Sequence, residues 1–160
     1  MPNHITNRIR LYGNCDKDIE KVITFFTDED GNVDFNTIEQ MPPEMLNGDG
    51  WYYWSYDHWG TKWNAYESEI EGNVITFLTA WLSVPKIVER LAAKFPNVDF
   101  YYDYADENFG YNLGSLIYKK GVLTETYMPT EGTEEAYDFA AEILGYDCRE
   151  EEDEWWDNVV

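Results

Sequence analysis

A chain of 160 residues that is 44% hydrophobic and 18% aromatic has the apolar surface for one domain with a true core, which excludes global disorder. Its 32 acidic and 11 basic side chains give a formal net charge of −21. That excludes direct binding to nucleic acid or an anionic membrane, where Lys and Arg must meet phosphate, and favours a basic partner.

His4 to Tyr12 alternates. Ile5, Asn7, Ile9 and Leu11 take one face and Thr6, Arg8, Arg10 and Tyr12 the other, the pattern of a half-buried strand. Gly13-Asn14 ends it. Asn14 or Asp16 is placed to cap a helix whose Ile19, Val22, Ile23 and Phe26 form one apolar face. Turn residues from Thr27 to Asn32 stop that helix, alternation over Val33 to Ile38 predicts an extended segment, and Pro42-Pro43 closes it. After the turn Asn47 to Gly50 comes the stretch around which the chain is organised, Trp51 to Trp81, with five of the seven tryptophans.

Within it, Trp51, Tyr53 and Ser55 alternate with Tyr52, Trp54 and Tyr56, which reads as an extended segment with aromatic side chains on both faces. Trp59 to Trp63 reads as a turn about Gly60. Trp63 to Ile70 reads as a strand, and Asn73 to Trp81 as its hairpin partner across Glu71-Gly72-Asn73. Ser83 and Pro85 predict a capped helix start, with Ile87, Val88, Leu91, Ala92 and Phe95 on the buried side. Val98 to Tyr104 is a strand, with Phe100, Tyr102 and Tyr104 opposite Asp99, Tyr101 and Asp103. Tyr111 to Tyr118 and Val122 to Met128 form a hairpin about Lys119-Lys120-Gly121. Thr133 caps a last helix, Glu134 to Leu144, whose inner face is assigned to Tyr137, Ala140, Ala141 and Leu144, and Gly145 ends it.

This order is β-α-β, a hairpin strand, then β-α-β-β-α. It predicts an α+β fold: a ferredoxin-like, mainly antiparallel sheet with helices on one face, an aromatic insertion, and an acidic C-terminal tail. Residues 1–146 form the single domain and residues 147–160 the tail. Cys15 and Cys148 have neither metal spacing nor a disulfide framework. No apolar leader opens the chain and no run approaches the ~20 apolar residues of a membrane span, so a cytoplasmic protein is expected.

Several short signatures point to a family. They are Asn7-Arg8 in the first strand, closed by Gly13; Trp59-Gly60-Thr61-Lys62-Trp63-Asn64; Phe77-Leu78-Thr79-Ala80-Trp81; Phe95-Pro96; Tyr104; and Phe109-Gly110. Together they resemble the YubB-like (Api-like) ferredoxin-fold family of unknown function carried by phages and plasmids. The likeness runs from about Met1 to Met128, and Trp59 to Trp63 is its most specific part. The family tends to have a small acid after the second Trp of that string, and Ser-Pro-Pro after Thr-Ala-Trp. Here those positions read Asn64 and Leu82-Ser83-Val84-Pro85. The resemblance implies the fold and a mobile-element origin, with the cytoplasm of a bacterial host as the location. It implies no catalytic residue.

Candidate chemistry is sparse. His58 follows Asp57, and a carboxylate-held histidine is the one enzyme-like pairing; no nucleophile motif stands beside it, so no catalytic residue and no enzyme is expected. Asp28, Asp30, Asn32 and Asp34 alternate like a calcium loop, but Val33 occupies the position that needs glycine, so no metal and no cofactor is assigned. Trp54, Trp59 and Trp63 are assigned to a possible ligand pocket.

The carboxylates carry the main expectation. Glu67, Glu69 and Glu71 recur every second residue, about 7 Å apart on one strand face. Asp99 and Asp103 extend an acidic surface, and Glu150, Glu151, Glu152, Asp153 and Glu154 form an unbroken acidic run before Trp155-Trp156. Regular negative charge on a rigid sheet imitates a phosphate backbone. The expected function is that of a phage or plasmid accessory protein that inhibits a basic, nucleic-acid-handling host protein, such as a CRISPR effector or other defence nuclease. These acids would steer association and the two tryptophans would anchor it. The alternative is a small-molecule or peptide-binding module that uses the tryptophan pocket.

Overall fold

Period-2 burial fixes the first strand. The computed structural model describes residues 2–150, and in it β1, His4–Gly13, buries Ile5, Asn7, Ile9 and Leu11 and leaves the alternate residues half-exposed. Helix α1, Asp16–Phe26, follows and buries Val22 and Phe26. Its N-cap is Cys15, with no side-chain cap bond, so neither Asn14 nor Asp16 serves as the cap.

The extended segment expected at Val33 to Ile38 is instead a bridge of Val33 to Thr27 followed by a 3-10 turn, Phe35–Thr37. Asp34 accepts from the Asn36 amide, a local bond that competes with a sheet ladder. A second 3-10 turn spans Pro43–Leu46. The aromatic segment is also not extended: it is helix α2, Gly50–His58. Aromatic residues ring this helix on all sides, so it shows no apolar stripe, which is why alternation misread it. What seats it is Ser55, fully buried, whose hydroxyl donates to the Tyr52 carbonyl within the helix and lies 2.5 Å from the Lys62 carbonyl beyond it.

The rest follows the sequence closely. Strands β2, Tyr66–Glu71, and β3, Val74–Ala80, form the expected hairpin, with Gly72 at φ 60° in its turn. Helix α3, Pro85–Lys94, buries Ile87, Val88, Leu91 and Ala92, with Pro85 at its first position. Ser83 is not its cap: the N-cap is Val84. Strands β4, Val98–Asp106, β5, Leu113–Lys119, and β6, Val122–Tyr127, continue the sheet. Helix α4, Glu134–Leu144, is capped by the Thr133 hydroxyl and ends at Gly145 in the left-handed region.

The six-stranded sheet has the order β2-β3-β1-β4-β5-β6 and every neighbouring pair is antiparallel. Strands β1 to β4 with α1 and α3 are the split β-α-β arrangement of a ferredoxin-like fold, and the β5-β6 hairpin widens it beyond β4. The main core lies between one sheet face and α1 and α3, joined there by Phe35 and Trp59. The last helix departs from the one-face expectation. It packs on the opposite face, where Ala136, Ala140 and Ile143 meet Ala105 and Leu113. Its buried residues are Ala136, Ala140 and Ile143, with Leu144 packed against them as assigned, whereas Tyr137 and Ala141 are not part of that cluster. Tyr137 stacks on Phe109 instead, over Gly110, where an added Cβ would stand 2.3 Å from the Tyr137 ring.

The start of the expected tail folds back on α4. Arg149 pairs with Asp147, Glu134 and Asp138. These contacts raise the Arg149 guanidinium, first through Asp147, and hold the Asp147 carboxyl below its usual value.

Candidate functional site: the tryptophan cleft and its acidic flank

The Trp59 to Asn64 string is pinned from several sides. Trp59 is 3% exposed; its indole N–H donates 2.9 Å to the Glu39 carbonyl, and its ring meets Phe35 and Trp54 edge-on. Gly60 turns the chain at φ 80°. The buried Thr61 hydroxyl donates to the Ala80 carbonyl. The Lys62 ammonium then lies 4.5 Å from the ring centres of both Trp63 and Trp81, a cation held between two indoles. Asn64 closes the string. Its Oδ1 accepts from the Phe35 and Ala65 amides and its Nδ2 donates 2.8 Å to Asp34 Oδ1.

Beside this string opens a cleft of about 570 Å³. Trp51, Trp59, Trp63, Met41, Pro43 and Leu46 form its apolar lining. Asp34, Asn36, Gln40 and Asn64 supply its polar groups. A cavity of this size with few polar groups is the usual form of a ligand site. Of the three tryptophans assigned to a pocket, Trp59 and Trp63 line it. Trp54 does not: it stacks on His58, with ring centres 4.4 Å apart. Trp51, on the first turn of α2, takes that place, while Trp54, one turn on, is held between His58 and Trp59.

The Asp57-His58 pairing does not form. Asp57 is exposed, while His58 Nδ1 lies 2.6 Å from Glu39 Oε1. Arg90 binds the other Glu39 oxygen and, together with His58, holds this carboxyl below its usual value. Glu39 thus ties its segment to α2 through His58 and to α3 through Arg90.

The expected acidic row is partly dismantled. Glu69 and Glu71 are exposed on one face of β2. Glu67 is exposed but sits at a β-bulge with φ 49°, so the two-residue spacing breaks there. Asp99 is half-buried. Asp103 is 2% exposed and is no surface acid: Arg8 reaches its Oδ2 from two nitrogens at 2.8 and 3.1 Å, Arg10 at 3.3 Å, and Ser115 donates to its Oδ1. The Arg8-Asp103 pairing follows from register, since the two residues face each other across β1 and β4. Glu150 is exposed; Glu151, Glu152, Asp153, Glu154, Trp155 and Trp156 lie outside the described residues.

The alternating Asp28 to Asp34 acids hold their own loop. Asp28 accepts from the Asp30 and Asn32 amides, and Asp34 from Asn36 and Asn64. Among the described residues no group of three or more His, Cys, Asp or Glu is placed to hold a metal ion, and no helix is long and apolar enough to cross a membrane.

A buried network between β1, β3, β4 and the start of α3 was missed by sequence reading. The Tyr102 hydroxyl donates 2.6 Å to Asn7 Oδ1 and accepts 2.9 Å from the Val84 amide. Asn7 Nδ2 donates to Thr79, whose hydroxyl donates to the Leu82 carbonyl. Asn7 stood out as a polar residue on an apolar strand face, the one available signal. Burial pushes the Tyr102 phenol well above its ordinary range.

The sheet order and its two crossing helices define an α+β protein of the ferredoxin-like class. The model of one family, the ferredoxin-like domain in Api92-like proteins, matches residues 58–147, more than half of the chain, and the chain belongs to that family. The match begins at His58 and takes in the Trp59 to Asn64 string, the β3 signature and Phe109-Gly110. Comparison with curated proteins and with solved structures finds no match.

Proposed function

We propose that this chain is a non-catalytic accessory protein of a phage or plasmid that binds a basic, nucleic-acid-handling host protein and blocks it. A CRISPR effector or another defence nuclease has the required chemistry. The observation that carries the reading is the disposition of charge. The sequence has only four arginines, Arg8, Arg10, Arg90 and Arg149, and each is ion-paired within the chain. Lys62, Lys94 and Lys119 lie over aromatic rings. The few bases are thus largely spent internally, while Glu69, Glu71 and Glu150 stand exposed on a body of net charge −21. Such a surface steers toward a Lys/Arg-lined channel and is repelled by nucleic acid.

The test is retention of host proteins on the immobilised chain at low and high salt, followed by competition with duplex DNA. A nuclease retained at low salt, released at high salt and displaced by DNA supports the reading. Retention that salt and DNA leave unchanged refutes the charge mechanism. The second reading, a small-molecule or peptide-binding module, is favoured by the tryptophan cleft. It predicts a change in tryptophan fluorescence on adding ligand that Trp51→Ala abolishes.

A further inference from the structure

Two clefts meet at Asp34. The tryptophan cleft and a second of about 410 Å³ share Asp34, Asn36 and Asn64 in their linings. Their walls differ in chemistry. Three indoles make the first apolar, whereas Asp28, Asp34 and Glu67 bring carboxylates to the second. Asp34 receives its three hydrogen bonds, from the Asn36 amide, Asn36 Nδ2 and Asn64 Nδ2, all on Oδ1. Among the described residues none of Asp28, Asp34 and Glu67 is ion-paired with Lys or Arg, in contrast to Glu39 and Asp103. Glu67 comes to the second cleft at the bulge that removes it from the strand's regular alternation.

We propose that the two clefts are one groove for a short segment of the basic partner. An apolar side chain enters the tryptophan half, and a neighbouring Lys or Arg meets Asp34 and Glu67. The assignment rests on the partner reading above and adds the anchor that diffuse charge lacks. Charge complementarity decides the occupant. An acidic or neutral segment gains nothing from the carboxylate half, and a purely cationic one leaves the indoles uncovered. The groove lies between the 3-10 turns and the start of β2, so the Asp34-Asn64 bond that joins its halves also sets its shape.

The experiment uses the full chain and a fluorescently labelled hexapeptide of alternating leucine and arginine, read by anisotropy. Two control peptides replace arginine by citrulline, which is neutral, or leucine by serine. Asp34→Asn retains Oδ1 for its three internal donors and removes only the charge; Trp51→Ala removes one indole from a helix that tolerates alanine well. The groove predicts that each control peptide and each variant weakens binding about fivefold or more, with thermal stability of both variants close to wild type. Equal binding of the arginine and citrulline peptides, or wild-type binding by both variants, overturns it. If the variants bind the peptide normally while the chain still retains a basic nuclease in a salt-sensitive way, the groove fails and the partner reading stands. If peptide binding tracks the variants but no basic protein is retained, the partner reading fails alone.

Discussion

Tyr102→Phe tests the buried network that fixes the sheet to α3. Tyr102 and Asn7 are both fully buried. The substitution deletes one oxygen and leaves the ring in place, so little cavity forms. It removes the 2.6 Å bond to Asn7 Oδ1 and the 2.9 Å bond from the Val84 amide. Each net bond contributes about 1 kcal/mol, and a buried group left without a partner adds about 1–3 kcal/mol. The Val84 amide matters most, because it is the N-cap residue of α3 and that helix has no side-chain cap. A loss of about 3 kcal/mol is expected, which for a chain of this size lowers Tm by roughly 6–12 °C. Urea unfolding followed by tryptophan fluorescence measures it, with an unchanged m-value showing that the same cooperative unit unfolds. A double-mutant cycle with Asn7→Ala should show coupling of at least about 1 kcal/mol. A loss below about 1 kcal/mol, or additive single effects, would refute the view that this hydroxyl holds β1, β4 and the start of α3 together.

Three further substitutions probe separate features. Asn64→Asp replaces a 2.8 Å hydrogen bond to Asp34 with two facing carboxylates, so both are raised in the folded state. About 2 kcal/mol should be lost at pH 7 and regained as pH falls through the raised folded values toward the unfolded carboxylate value of about 3.9; a pH-independent deficit in thermal melts would contradict this. Glu39→Gln removes a carboxyl that Arg90 and His58 hold low. The lowered folded value means Glu39 stabilises above its unfolded value of about 4.3 and loses that contribution as pH falls further, so the variant should be weaker by at most about 1 kcal/mol near neutrality and equal to wild type by about pH 3. Gly110→Ala places a Cβ 2.3 Å from the Tyr137 ring at a residue with φ 87°, and a loss of about 3 kcal/mol is expected from overpacking plus left-handed strain; unchanged exchange protection of α4 amides would show that Tyr137 yields freely.

Much of the sheet was legible because strands β1 and β3 carry period-2 burial, and Gly72 and Gly121 mark the β2-β3 and β5-β6 turns plainly. Helices α1, α3 and α4 were legible from their apolar stripes, and Thr133 and Gly145 from their capping chemistry. The failures share a cause. Helix α2 has aromatic residues around its whole circumference, so a local pattern offered alternation where a helix forms. The Val33 to Ile38 segment alternates, yet Asp34 captures its backbone locally and Asn64 captures it from across the fold. The candidate site draws on both misread segments, and Trp51 rather than Trp54 lines it.

By itself the sequence determined the α+β class, the family, the acidic field and the tryptophan string, because composition and short-range periodicity are local properties. Only the tertiary structure decided which acids are surface groups. Asp103 and Glu69 are equivalent in sequence, but the register of β1 against β4 sets two arginines on one and leaves the other in solvent. It also decided the groove, since Asp34 and Asn64 lie far apart along the chain and meet only when the loop after α1 folds against the start of β2. Partner identity across such a separation is set by packing, and no local pattern encodes it.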